Sequence, residues 1–316
     1  MSEVMNDSVC GVFQSPTLTL YLVLVKISDI VYWLTLNRPY RLQAGLSLLA
    51  AIVAIPGIAL AQDTKADAPI PHAMGQSVSA SFEGWYPNPD GTRSLVFGYF
   101  NRNYEQHLDI PVGPENAFSP GPPDRGQPTH FLPRRQTGIF AVVVPADFSG
   151  ELTWSLTANN ETIAIPGHLR PEWEITALEE VTSGNTPPVV RLAGATGEPG
   201  QGPLGVHGTF DAAVSTPTAL TVWATDDGVR RVRNAQRPPR LGLVWSKYRG
   251  PGEVTFGDPA PEVDSTTQAE TTVTFSEPGE YVLRVLAWDD SGGQSAIMAG
   301  GFFCCWTNGY VTVQVQ

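Results

Sequence analysis

The chain of 316 residues is 42% apolar and 16% charged, which argues against a disordered polymer and leaves room for two domains of ordinary size. Its formal net charge of −12 argues against nucleic acid and anionic membrane surfaces as partners, because phosphate binding needs a basic face. The 31 glycines and 28 prolines lie between short apolar runs, a punctuation that suits an all-β protein.

The first 61 residues read as a segment separate from the fold. Residues 44–61 carry no charge, follow Arg38 and Arg41, contain the helix breaker Pro56-Gly57 and end in Ala59-Leu60-Ala61. Basic flank, short apolar core and small-x-small site make residues 37–61 a signal peptide, with a mature chain beginning at Gln62. The expected location is extracytoplasmic, either periplasmic or secreted. No cysteine follows the cleavage site, so no lipid anchor is expected. The apolar stretch before it, residues 18–36, contains Lys26 and Asp29. Each would cost about 2.5–3.5 kcal/mol at a membrane centre. Residues 1–36 therefore read either as upstream sequence from a start codon set too early or as a membrane segment. No membrane insertion is expected of the mature chain.

Residues 62–76 read as a flexible linker. Val78, Ala80 and Phe82 then alternate with polar residues, as in a half-buried strand. Pro87-Asn-Pro-Asp-Gly91 turns the chain into a second strand at Ser94–Phe100. Residues 113–133 are rich in proline and glycine without periodicity and read as a long loop, a usual carrier of binding residues. Strands resume at Gly138–Pro145, Glu151–Thr157 and Glu161–Ile165. Residues 171–180 have room for one or two helical turns. This makes a β-sandwich domain over 77–178 and a linker over 179–188.

Residues 189–316 form the second domain. Asn185-Thr-Pro-Pro-Val-Val190, Val244-Trp-Ser-Lys247, Gly250-Pro-Gly-Glu-Val-Thr-Phe256 and Pro278-Gly-Glu-Tyr-Val-Leu-Arg-Val-Leu-Ala-Trp-Asp-Asp290 occur in that order. This succession resembles the PKD-like domains, from about residue 185 to 316. The resemblance implies an immunoglobulin-like sandwich used for recognition or spacing, and it identifies no ligand. Spacing agrees: Leu241, Leu243 and Trp245 share one face of a strand, as do Tyr281, Leu283, Val285 and Ala287. Tyr281, three residues after Pro278, is placed to form a tyrosine corner. Two features depart from the pattern, the glycine-rich stretch 191–218 and a basic insertion from Arg230 to Arg240. The fold class expected is thus all-β, two immunoglobulin-like sandwiches in tandem.

The sharpest chemical signal is the adjacent pair Cys304 and Cys305, followed by Trp306. An exported protein favours a disulfide. Yet neighbouring Cα atoms, about 3.8 Å apart across a trans peptide, fall short of the usual disulfide range of roughly 4.4–6.8 Å, so the ring would be strained. A vicinal disulfide, two thiols on opposite sides of a strand, and a soft-metal or interchain site all stay open. Trp154, Trp223, Trp245 and Trp288 lie within strand patterns and read as core, and Trp173 as packing. Trp85 and Trp306 are candidates for an exposed aromatic platform. The polar loop 124–135 places Arg125, His130, Arg134 and Arg135 where they would hold an anionic ligand, against the blander reading of a hydrogen-bonded surface. Acidic turns at Asp226-Asp-Gly228 and Asp289-Asp-Ser-Gly292 bring calcium into consideration, although Asp and Gly are ordinary turn residues. Otherwise no cofactor is expected. The five histidines, His72, His107, His130, His168 and His207, show no close metal-ligand spacing. Gly200-Gln-Gly-Pro-Leu-Gly205 fits a dinucleotide fingerprint by chance, lacking a following helix.

The function expected is an exported non-catalytic binding or structural module, with an unknown protein or carbohydrate as ligand. Two alternatives remain: a redox or soft-metal protein using Cys304 and Cys305, and a carbohydrate-active accessory protein. The latter requires Asp109, Glu115 and Asp124 to converge in one concave site.

Overall fold

The computed structural model describes residues 72–181, 183–229, 241–289 and 304–316. The leader, the segment before it, most of the 62–76 linker, the basic insertion 230–240 and the end of the second acidic turn lie outside the described residues. Pro71–Gln316 forms one compact unit. No helix among the described residues is long and apolar enough to cross a membrane.

The first half supplies β1 (Val78–Pro87), β2 (Arg93–Asn101), β3 (Leu108–Asp109), β4 (Asn116–Ser119), β5 (His130–Phe131), β6 (Arg134–Val144), β7 (Leu152–Ala158) and β8 (Glu161–Gly167). One sheet runs β1-β2-β6, its partner runs β4-β7-β8, and β3 and β5 make a short two-stranded ribbon. Both sheets send side chains into one core, in which Phe97, Phe118, Phe140 and Trp154 stack face to face and edge to face. The loop expected over 113–133 in fact contains β4, which pairs with β7 from Asn116 opposite Leu156 to Ser119 opposite Thr153. A four-residue strand is too short to display a period, so nothing in the sequence marked it. The helical turns expected over 171–180 reduce to a single 3-10 turn at Pro171–Trp173.

The second half supplies β9 (Val189–Arg191), β10 (Val206–Ala212), β11 (Thr218–Thr225), β12 (Gly242–Arg249), β13 (Val254–Phe256), β14 (Gln268–Phe275), β15 (Gly279–Trp288) and β16 (Trp306–Val315). The sheets run β13-β14-β11-β9 and β10-β16-β15-β12. Lettered in chain order with β9 and β10 as A and A′, these are D-E-B-A and A′-G-F-C, the arrangement of an immunoglobulin-like sandwich. The first strand divides between the two sheets, and β10 closes its sheet by running parallel to β16. Tyr281 is fully buried and forms the expected corner: its hydroxyl donates to the Glu277 carbonyl at 2.9 Å and accepts from the Gly252 N–H at 3.0 Å. The protein is therefore all-β, with two immunoglobulin-like sandwiches in tandem.

The alternation along β15 is only half explained by its own core. Tyr281, Leu283, Val285 and Ala287 face inward, as expected, yet Arg284 and Leu286 on the opposite face are also buried. Leu286 packs with Val244, Trp288 and Trp306, Arg284 lies near Tyr99 of the first sandwich, and neighbouring residues of this sheet bond to that sandwich. The Tyr310 hydroxyl donates to the Ile139 carbonyl at 2.6 Å, and Asn308 Nδ2 donates to the Gly138 and Pro203 carbonyls, each at 2.8 Å. Thr129 N–H donates to the Tyr248 carbonyl at 3.1 Å, and Tyr248 and Tyr310 pack into the first sandwich's own core cluster. Gly138, at φ +54, has to be glycine: a Cβ there would run into the Trp306 ring.

Candidate functional site

Cys304 and Cys305 are joined by a disulfide, through a cis peptide bond, and are 4% and 0% exposed. Their sulfurs lie 3.8 and 3.4 Å from the Asn185 carbonyl oxygen; with no S–H left, these are contacts rather than hydrogen bonds. Trp306 is 1% exposed, packed against Leu286, so its ring is core and presents no platform to solvent. Trp85 is likewise buried, its indole N–H donating to the Arg170 carbonyl at 2.9 Å. Trp223 departs from the core reading: Leu220, Val222 and Ala224 take the inward face of β11 and leave Trp223 half-buried on the outward one. Trp173 stands 43% exposed over Phe82 and His168.

The four residues of the 124–135 loop go separate ways. The Arg125 Nη2 reaches the Pro120 carbonyl at 3.4 Å. Arg134 lies over the Tyr104 ring at 3.9 Å and the Phe100 ring at 5.0 Å. Arg135 pairs with Glu83 at 2.5 Å. Glu83 is the extra residue of a bulge in β1, buried beneath the sheet, and burial pushes its pKa up against the opposing charge of Arg135. Only His130 enters a cluster with other chemically competent side chains.

That cluster follows from strand register. In the β3–β5 ribbon Asp109 stands directly opposite His130. His107, two residues before Asp109, falls on the same side of the extended chain. His130 Nδ1 donates to Asp109 Oδ1 at 2.8 Å, and His130 Nε2 lies 3.0 Å from His107 Nδ1. Lys247 of β12, itself 8% exposed, reaches across from the second sandwich to the same Asp109 oxygen at 3.2 Å. Burial alone would raise the Asp109 pKa, but hydrogen bonding and charge from His130 and Lys247 hold the carboxyl below its ordinary range. His107 is lowered by burial and by its neighbour His130. These residues line a groove of about 540 Å³ together with Val244, Val254, Phe256 and Leu286 of the second sandwich. The sequence offered one clue, the His-x-Asp spacing at 107–109. The partner 23 residues away depends on a register that no local pattern reveals.

The three carboxylates a carbohydrate-active site would need do not converge. Asp109 lies in the groove, Glu115 lines a separate hollow beside Thr157, and Asp124 is bound to Arg249 at 2.7 Å. Trp306 lies beside Trp288 and Gly242 at the start of β12, whereas the 113–135 loop meets Tyr248 and Arg249 at its end.

The acidic turns do approach each other, close enough for Asp289 to repel charge on Asp226. Among the described residues no group of three His, Cys, Asp or Glu side chains is arranged to hold a metal ion. Burial, reinforced by Asp289 and Asp227, raises the Asp226 pKa to about 6. Because this folded-state value exceeds the ordinary one, Asp226 stabilises the fold fully at about pH 4 and below, and that contribution disappears as pH rises through about 6. Asp226→Asn is expected to flatten the pH dependence of the melting temperature across that window and to raise it near neutrality. Thermal unfolding at a series of pH values checks this, and an unchanged slope would contradict it.

No family model and no curated protein matches the chain. Among solved structures it is similar to the D00-D0 domain of intimin, at 10% identity over 75% of this chain and 99% of that one, with a TM-score of 0.24. It is similar to the fibronectin(III)-like modules of Clostridium thermocellum CbhA at 11% identity over 76% and 94%, TM-score 0.21. For domains 4 and 5 of the S-layer protein SbsC the values are 11%, 56%, 70% and 0.22. Likeness at that level carries no argument, and the strand order of the chain itself carries its assignment to the immunoglobulin-like class.

Proposed function

We propose that the chain is an exported, non-catalytic binding module of the periplasm or cell exterior, and that it recognises its ligand in the groove between the two sandwiches. The observation that carries this reading is the groove itself, with one wall from each sandwich and the two walls fixed by buried hydrogen bonds across the junction. A rigid concave surface, part apolar and part polar, is what recognition of a small ligand needs. Leu132, Val254 and Phe256 offer the apolar part; Gln136, Ser246 and Glu253 offer hydrogen-bonding groups. The ligand class is a peptide or an oligosaccharide. Export rests on the uncharged leader at residues 44–61, and a kinship with PKD-like modules rests on the order of motifs in the second half.

The test is methyl-resolved NMR of the full chain, in chelator, against defined short peptides and oligosaccharides. At least one class is expected to shift Leu132, Val244 and Val254 together and to leave the ligand chemically unchanged. Val254→Trp, which fills the groove, should abolish the effect. Shifts confined to other surfaces, or turnover of the ligand, would overturn the reading.

A further inference from the structure

The geometry of the histidine pair points to a function that stands independently of any organic ligand: we propose that His107 Nδ1 and His130 Nε2 bind one Cu(II) or Ni(II) ion at the rim of the groove.

The donor atoms follow from the hydrogen bonds. A carboxylate only accepts, so His130 Nδ1 carries the proton shared with Asp109 at 2.8 Å, and Nε2 of the neutral ring holds the lone pair. His107 Nδ1, 3.0 Å away, then donates to it in the metal-free protein. Moving the His107 proton to its own Nε2 through solvent turns both facing nitrogens into lone-pair donors. The exchange changes a tautomer and no net charge, and a turn of the two rings then lets both lone pairs converge on one ion beside the line that the hydrogen bond occupied.

Donor type decides the class of ion. The 3.0 Å separation is the length of the hydrogen bond between the rings and shows that both imidazoles reach one point. Imidazole nitrogens suit the later divalent transition metals, and the general affinity order puts Cu(II) first among them. Because no third His, Cys, Asp or Glu among the described residues completes the set, the remaining positions go to water or to donor atoms of a bound molecule, and the adjoining groove has room for them.

The surroundings are those of a supported site rather than a chance pair. A histidine ligand typically gives its second ring N–H to a carboxylate, which fixes the tautomer and makes the ring a better donor. Asp109 does this for His130, and Lys247 pins the same oxygen at 3.2 Å from the opposite sandwich. The Lys247 charge that would oppose a cation is balanced by that contact. Arg284, also in the groove wall, is turned to Asn308 Oδ1 at 2.9 and 2.7 Å. The Glu253 carboxylate faces the same rim and acts electrostatically on His107.

The experiment is titration of the full chain, oxidised and free of any polyhistidine tag, with Cu(II), followed by calorimetry and by electron paramagnetic resonance. One saturable equivalent is expected, with hyperfine splitting from two equatorial imidazole nitrogens. His107→Ala, at an exposed position, should leave the circular dichroism spectrum unchanged and weaken binding at least tenfold. Asp109→Asn should weaken it about 10–100-fold by loosening His130. Failure of the wild type to take up one saturable equivalent, or equal binding by His107→Ala, overturns the proposal. Neither result touches the peptide or oligosaccharide reading, which is measured in chelator.

Discussion

Replacing Asn308 by Leu is expected to destabilise the folded chain by about 3–5 kcal/mol, the loss that follows when one partner of a buried charged contact is removed. Asn308 is fully buried at the junction of the sandwiches. Its carbonyl oxygen is the acceptor for two guanidinium N–H groups of Arg284, and its amide satisfies the carbonyls of Gly138 and Pro203. Arg284 itself is 5% exposed and belongs to none of the ion pairs among the described residues, so burial disfavours its charged form. Leucine in place of Asn308 removes the acceptor of two guanidinium N–H groups and leaves that cation only the Tyr310 hydroxyl in a low-dielectric interior. The double variant Asn308→Leu with Arg284→Met should recover much of the loss, because apolar replacement of a buried ionic group is often neutral. Urea-unfolding midpoints for the two single variants and the double variant measure the coupling. Strictly additive losses would show that Arg284 and Asn308 do not act as a unit.

The second large effect is expected at Trp154, where substitution by Ala should cost about 3–5 kcal/mol for the cavity it opens. The ring is 0% exposed and packs against Phe97, Phe118, Phe131 and Phe140. It also orients the groove. Its indole N–H donates to Asn116 Oδ1 at 2.9 Å, and the Asn116 amide in turn ties down the carbonyls of Ile110 and Pro128, which flank β3 and β5. Trp154→Phe should keep most of the apolar packing yet lose this clamp, so it should cost less stability while still increasing exchange of the Ile110 amide, which donates to the Thr129 carbonyl beside the ribbon. Hydrogen exchange on the two variants separates packing from positioning. Equal protection of Ile110 in Trp154→Phe and wild type would remove the clamp from the account.

How much of this was legible in the sequence depends on whether the signal was local. Period-two alternation located β1, β2, β7 and β15, and the Pro278–Tyr281 spacing placed a tyrosine corner that the hydroxyl geometry bears out. Alternation also misled where a strand has two buried faces. Arg284 and Leu286 alternate with the core set of β15 and yet are buried too, Leu286 against Val244, Trp288 and Trp306, and such packing leaves no period. Trp306, a candidate for an exposed platform, is instead core, because its ring packs against Gly138, well over a hundred positions earlier. The candidate site was half visible. His130 was one of four candidates in its loop, and the other three found separate partners. What joined His130 to His107, Asp109 and Lys247 was strand register and the approach of a second sheet.

The two sandwiches behave as one body, locked through Asn308 and Tyr310, so that the groove between them keeps a fixed shape. Native-state hydrogen exchange on the intact chain tests it most directly. The amides of Leu95 in β2 and Val273 in β14 should open with the same free energy, and both should weaken together in Asn308→Leu. If Val273 kept its full protection while Leu95 lost its own, the sandwiches would be separate folding units and the groove no more than a contact between them.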